Sequence, residues 1–583
     1  MFDLKITGGT VVDGTGADRF DADVAVKDGK IVEVRHRGPG GRPLEGEAAE
    51  TIDATGKIVA PGFVDIHTHY DGQVSWDDLL EPSSTHGVTT VVAGNCGFTL
   101  APLAEPDADY LRRMMTKVEG MPLAALERGV PWNWSSFADY LDRLDGHVGV
   151  NVGFLVGHCA IRRNVMGGDA VGQEATPDQV ADMVRLLHDA LDAGGLGFST
   201  TLSFTHSDGD GQPVASRWAS RGEVLALCGA VRDHEGTTLE YVTDGCLRGF
   251  RPDEVELMAD MTLAARRPLN WNVLTVDAAE PERYRSQLAA NENAAAAGGR
   301  SVALTMPVLV EMNMSFRNYC ALFMLPDWSS VMNLPVPERM AKLRDPAVRR
   351  YLDERAKSKD AGVFARLTDW GRYQIGDTYS AANEGLKGRR VADLARERGE
   401  DPFDALLDVV LADELRTVLW PLPTDDDGGS WALRREAWAR DDVLIGGSDA
   451  GAHLDRMCGA PYTTQFLADC LRGRRLVSLE RAVELITSAP AALFGLKDRG
   501  QLREGFHADV VLLDPDTVGA RDASLVDDLP GGTSRLFAAA VGVARVLVNG
   551  QPIVVDGATT GDTPGVIVRS GRGTETVTVP AGR

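Results

Sequence analysis

Gly62-Phe63-Val64-Asp65-Ile66-His67-Thr68-His69 decides how the rest of the chain is read. Residues 59–66 are apolar apart from Pro61, Gly62 and Asp65, and they are rich in β-branched types. That composition suits a short buried strand. The two histidines that follow are two positions apart, so an extended backbone points both imidazoles the same way. Neutral imidazole is the commonest ligand for metals of the zinc class, and a pair at a strand mouth is half a metal site. The plainer alternative is two surface histidines beyond a strand end. Other parts of the chain weigh on the choice.

At 583 residues the chain exceeds one ordinary domain and has room for a large barrel plus something smaller. Hydrophobic content of 44% with 25% charged residues is globular and allows a sizeable core. No run is apolar for long enough to span a bilayer. Met1-Phe2-Asp3-Leu4-Lys5-Ile6 lacks the basic start and apolar stretch of a secretory signal. A cytoplasmic protein without a membrane partner is therefore expected. The net charge of −25 argues against nucleic acid, because phosphate binding wants the opposite sign. The seven cysteines are scattered, with no Cys-x-x-Cys, which is neither a disulfide framework nor a structural zinc finger.

Both ends read as β structure. Residues 22–26 alternate, Lys27-Asp28-Gly29-Lys30 turns, and residues 31–34 follow, a hairpin signal. Residues 508–515 and 544–550 offer further strands, so 1–60 and 496–583 are expected to form one small split β-sandwich. The middle, 61–495, alternates strands with helices. Strands are expected at 89–97, 148–156, 196–200, 237–242, 268–274, 301–306 and 442–449. Helices are expected at 221–234 and 253–265, and another begins at Thr176-Pro177-Asp178 and stops at Gly194-Gly195. Repeated β-then-α units imply a parallel sheet. About eight of them in roughly 430 residues fit an α/β fold of the (β/α)8 TIM-like barrel kind.

An insertion at about 311–435 falls late in that barrel. It holds Met312-Asn313-Met314-Ser315-Phe316, an aromatic run to Trp328 and an amphipathic helix near 337–357. Long elements between barrel units are usually lids or active-site walls; an inert excursion or an oligomer contact is the alternative. Its aromatic and methionine residues suit an acyl chain and equally an ordinary core. Asp425-Asp426-Asp427 reads as a solvated loop.

Barrel active sites sit at the C-terminal strand ends. His67 and His69 follow the first expected strand, Cys96 the second and Asp449 the last. Alone, Cys96 reads as core and Asp449 as a helix cap. Their coincidence at one rim favours a metal site.

Three stretches carry a family resemblance: Pro61-Gly62-Phe63-Val64-Asp65-Ile66-His67-Thr68-His69, Gly87-Val88-Thr89-Thr90-Val91-Val92-Ala93-Gly94-Asn95-Cys96-Gly97, and Gly447-Ser448-Asp449-Ala450-Gly451-Ala452-His453. They resemble the amidohydrolase superfamily, and in particular its D-aminoacylase-like branch, the N-acyl-D-amino-acid deacylases. The glycine-asparagine-cysteine stretch is the specific clue. The resemblance spans nearly the whole chain. It implies a zinc-bearing barrel that hydrolyses linear amides, with His67, His69 and Cys96 as ligands. Asp449 is then a ligand or near-ligand that takes a proton from the attacking water.

The chain also departs from that pattern. The family usually has histidines on the fifth and sixth barrel strands, whereas here these read Thr237-Thr238-Leu239-Glu240-Tyr241-Val242-Thr243 and Leu269-Asn270-Trp271-Asn272-Val273. Three readings stay open: one ion on His67, His69, Cys96 and Asp449; Glu240 as an oxygen ligand; or no metal at all. One zinc is preferred over two, since two imidazoles, a thiolate and a carboxylate complete a tetrahedral shell. A catalytic site needs an open position, so Asp449 is the candidate for loose binding. Zinc would acidify water and polarise the acyl carbonyl, with Asp449 as general base and then acid.

His158, His206 and His453 are pocket or metal candidates, each with a structural role as the alternative. Arg162 is a candidate for a substrate carboxylate, with an ordinary salt bridge as its competitor. The expected substrate is a small N-acyl amino acid, either an Nα-acyl-D-amino acid or an Nε-acyl-lysine. A non-catalytic, metal-depleted binding or scaffold relative is the alternative function, and a homo-oligomer stays open.

Overall fold

Two strands, serving different sheets, emerge from the apolar run before His67. Ile58–Pro61 joins a sheet of terminal strands, and Phe63–Asp65 (β1) starts a parallel array. Gly62 separates them because a Cβ there would lie 2.0 Å from Thr89 Oγ1. The computed structural model describes residues 1–38, 43–103, 107–317 and 320–579. They form two compact units, one of Met1–Val308, Gly428–Leu454 and Cys458–Arg583, the other of Leu309–Asp427 and Asp455–Met457.

In the larger unit the parallel strands follow β1 in chain order: β2 (Val88–Ala93), β3 (Asn151–Phe154, continued by Val156–Gly157), β4 (Gly197–Thr201), β5 (Thr238–Val242), β6 (Leu269–Asn272), β7 (Ser301–Thr305) and β8 (Val443–Ile445). Each pairs in parallel with its sequence neighbours. β3 is interrupted at Leu155, so its first part pairs with β2 and its second with β4. A parallel bridge between Thr68 and Ala450 brings the chain after β8 beside the chain after β1. Val64, Ile66, Val92, Leu155, Val302, Leu304 and Leu444 pack into one buried cluster with Leu493 and Phe494. Each such side chain contributes about 1.5–3 kcal/mol by leaving water.

The connecting helices start and stop where the sequence says. Pro177–Asp192 opens with a capping box between Thr176 and Gln179 and has Pro177 in its first turn. Arg221–Val231 is capped by the Ser220 side chain, and Pro252–Ala265 closes on Arg266 in a left-handed conformation.

The strands of both termini pair with one another in one hydrogen-bonded nine-stranded sheet among the described residues. The ten-residue strand Phe2–Val11 explains this. Its first part pairs with Ala48–Asp53 and its end with Ile58 and Val59, which joins both segments to one strand. Ile58–Pro61 in turn pairs antiparallel with Val510–Leu513, sewing the two ends of the chain together. The hairpin at Asp28-Gly29 forms with both residues at positive φ, 51° and 72°, as a two-residue hairpin turn requires. The last strand leaves this sheet: Ile567–Val568 adds in parallel to β3.

In the smaller unit, Met314, Phe316 and Trp328 are 4% exposed or less and belong to its core. Trp328 stacks on Trp370 at 5.5 Å and Trp370 on Phe403 at 4.7 Å. Phe316 and Trp328 of the aromatic run therefore belong to a core here. The single helix expected near 337–357 is two, Val336–Arg344 and Pro346–Ala356. Pro346 cannot continue the first, and Asp345 caps the second by accepting from Ala347 N.

Candidate metal centre

His67 and His69 leave β1 on the same side, and β2 delivers Cys96 beside them. After Ala93 the chain turns at Gly94, at φ +81°, where a Cβ would meet the Leu155 carbonyl oxygen at 2.5 Å. Asn95 pins the turn by donating its amide to the carbonyls of Thr68 and Val92 at 3.1 and 2.9 Å. Cys96 is thereby held left-handed at φ +58°, a strained state for a residue with a Cβ. Its Sγ lies 3.5 Å from His67 Nε2 and 3.8 Å from His69 Nε2. Donor atoms of these three residues all lie within 4.8 Å of one another, and all three are buried. Zinc bonds of about 2.0 Å to nitrogen and 2.3 Å to sulfur, at a tetrahedral angle, put N and S about 3.5 Å apart. The spacing fits such an ion.

Asp449 arrives from the chain after β8. Ser448 donates its hydroxyl to the buried carboxylate of Asp65, and Ala450 N donates to Ser448 Oγ at 3.0 Å. Between these anchors Asp449 stands at φ +51°. Its Oδ1 approaches His67 Nε2 at 3.2 Å and His69 Nε2 at 3.8 Å. It is not part of the three-donor cluster. Its side chain is 33% exposed, whereas those of His67 and His69 are 4% and 1%. Asp449 is thus more exposed than either histidine.

Buried charge shapes the set. Burial disfavours ionising Asp449, but the hydrogen bond and charge of His67, with His69 and His453, hold its carboxyl below the usual range. Burial opposes the His67 imidazolium, and Asp449, Glu240 and Asp65 outweigh it and push the ring up. Burial and the charge of His67 push His69 well down, towards a neutral ring. Burial, then Glu240, Glu119 and Asp449, push the Cys96 thiol well up. Burial also lifts Asp65 to about 6. A divalent cation suits this collection: it relieves four crowded carboxylates and ionises a coordinating thiol.

Glu240, on β5, is fully buried and takes hydrogen bonds from Cys96 N at 2.9 Å, Ser199 Oγ at 2.5 Å and the Asn272 amide. It stands behind His67, with Oε1 3.9 Å from Nδ1. The sequence offered no sign of Glu119, which closes the helix Ala108–Val118. Its Oε1 is 3.7 Å from His69 Nδ1 and its Oε2 3.9 Å from His453 Nε2. A lone acid after an ordinary helix carries no motif.

His206 pairs with Thr201 Oγ1 at 2.8 Å and packs on Phe98 with ring centres 5.1 Å apart, close enough to feel His453 and Asp449. His158 and Arg162 are elsewhere. His158 bonds Thr200 and Glu223 at 2.8 Å each, and Arg162 donates to Glu223 and to the carbonyls of Ala170 and Gln173. All three ionisable side chains are 0% exposed. Arg162 is therefore a buried structural cation, not a substrate anchor, because its charge is already matched by Glu223.

Residues 50–554 match the amidohydrolase family. The chain belongs to that family, in its D-aminoacylase-like branch. The N-acyl-D-aspartate deacylase of Alcaligenes xylosoxydans xylosoxydans is 30% identical over 98% of this chain and 95% of its own. A solved D-aminoacylase with a binuclear metal centre, activated by one metal and attenuated by a second, is 26% identical. It superposes with a TM-score of 0.63 over 98% of this amidohydrolase and 100% of its own chain. The N-acyl-D-glutamate deacylase of Bordetella bronchiseptica, solved with zinc and a phosphonate mimic of the tetrahedral intermediate, is 25% identical. Its TM-score is 0.62 over 98% of this chain and 100% of its own. These neighbours identify the parallel array as a TIM barrel.

Proposed function

We propose that this metal-dependent amide hydrolase removes the acyl group from an Nα-acyl-D-amino acid, using one zinc ion held by His67, His69 and Cys96. The observation that carries the reading is Asp449, 3.2 Å from His67 Nε2 yet a third exposed. It is close enough to share the ion loosely and open enough to meet water. The ion, when bound, supplies Lewis acidity towards the acyl carbonyl and the attacking water. Asp449, kept ionised by the two imidazoles, accepts the water's proton and returns it to the departing amine. The relatives' deacylation of N-acyl-D-amino acids favours that class over Nε-acyl-lysine. The intact donor cluster speaks against the scaffold alternative.

A substrate of this class carries a carboxylate and calls for a cation. Arg217 is suited to it. Its Nη1 donates to the carbonyls of Phe204 and His206 at 3.4 and 3.1 Å, and among the described residues it has no carboxylate partner within ion-pair distance. The test is a hydrolysis screen of Nα-acyl-D-, Nα-acyl-L- and Nε-acyl-lysine compounds, with and without chelator. Chelator-sensitive turnover of the D compounds supports the reading; turnover confined to Nε-acyl-lysine overturns the substrate class.

A further inference from the structure

We propose that Glu240 and Glu119 are positioning residues of the metal centre, each fixing the tautomer of one of its two histidines from the side away from the ion. The proposal rests on the reading that His67, His69 and Cys96 hold zinc. In both histidines Nε2 faces the donor cluster. A neutral ring that offers Nε2 to a cation must carry its proton on Nδ1. Those two Nδ1 atoms are buried and make no hydrogen bond. Opposite each stands a buried carboxylate oxygen: Glu240 Oε1 at 3.9 Å from His67 and Glu119 Oε1 at 3.7 Å from His69. A small turn of either ring brings its N–H within reach. Acceptors of this kind fix the orientation of a ligating imidazole and raise its basicity.

The two acids are themselves anchored, Glu240 through its carboxylate and Glu119 through its backbone. Both oxygens of Glu240 are engaged, Oε2 by Cys96 N and Ser199 Oγ, Oε1 by the Asn272 amide. It is thus an acceptor rather than a ligand, and it also braces the backbone of Cys96. Glu119 accepts the backbone N–H of His453 through its own backbone carbonyl, and its Oε2 faces that residue's ring at 3.9 Å. It thereby links His69 to the segment that carries Asp449. The two acids come from different elements and converge on one task.

The experiment is zinc titration of the full-length apoprotein against a chromophoric chelator, for wild type, Glu240→Gln, Glu119→Gln and the surface control Glu282→Gln. Both buried variants should keep the wild-type zinc stoichiometry but bind zinc about 10- to 100-fold more weakly. Their zinc-induced rise in Tm should shrink while the apoprotein Tm stays near wild type, which a merely structural role would not give. Each variant is an independent check on the other's folding. Zinc affinities within twofold of wild type overturn the proposal. So does loss of a whole equivalent of zinc in Glu240→Gln, which would make Glu240 a ligand. A wild-type protein that binds no zinc defeats the metal reading itself.

Discussion

Ser448 donates its hydroxyl hydrogen to the carboxylate of Asp65, 383 residues away in sequence. The bond joins the chain after β8 to the end of β1, so it fixes Asp449, the next residue, over the two histidines. Removing it with Ser448→Ala leaves a buried carboxylate short of one donor, at about 1.5–3 kcal/mol. Unfolding in urea should show that loss. Turnover should fall more than substrate affinity, because the displaced group is the proposed general base. A variant with wild-type kcat would show that Asp449 is held by other means.

Two arginines should behave in opposite ways. Arg217→Met should raise KM for N-acyl-D-amino acids at least about tenfold, with a smaller change in kcat, if a charge-assisted hydrogen bond to the substrate carboxylate is lost. Arg162→Met should act on stability instead, by about 3–5 kcal/mol, since Glu223 would stay buried without its main partner. Steady-state kinetics and urea unfolding on both variants separate the roles. Arg217→Met with unchanged KM removes the assignment.

His86 should make the protein acid-sensitive. Its Nδ1 meets Thr464 Oγ1 at 2.7 Å and its Nε2 meets the Ala538 carbonyl at 2.9 Å. Burial lowers its pKa from 6.5 to about 4. The folded protein thus binds a proton less readily than the unfolded chain, so the contribution is complete above pH 6.5 and is lost as pH falls towards 4. Its ceiling is about 3 kcal/mol. The stability gap between wild type and His86→Gln should narrow over that range. Parallel curves would assign the acid sensitivity to other groups.

How much of this was legible in the sequence depends on how local each signal is. His67, His69, Cys96 and Asp449 sit in short stretches directly after strands, where residue type and strand phase already set the direction. Glu119 has no such frame, since only the folded chain sets it behind His69. The choice between Arg162's two readings was open for a related reason: its salt-bridge partner Glu223 lies 61 residues further on. The terminal strands were readable singly, but their fusion into one sheet depends on which strand Phe2–Val11 meets at each end. The break at Asp345-Pro346 was in plain view, and the amphipathic pattern on either side masked it.

The proposed role of Asp449 is to work on the substrate beside an ion held mainly by His67, His69 and Cys96. The most direct measurement takes zinc content and kcat from one preparation of Asp449→Asn. Zinc should remain at about one ion per chain, since three donors persist, while kcat falls by about 100-fold or more. Hydrolysis at the wild-type rate in that sample would show that Asp449 takes no part in the chemistry.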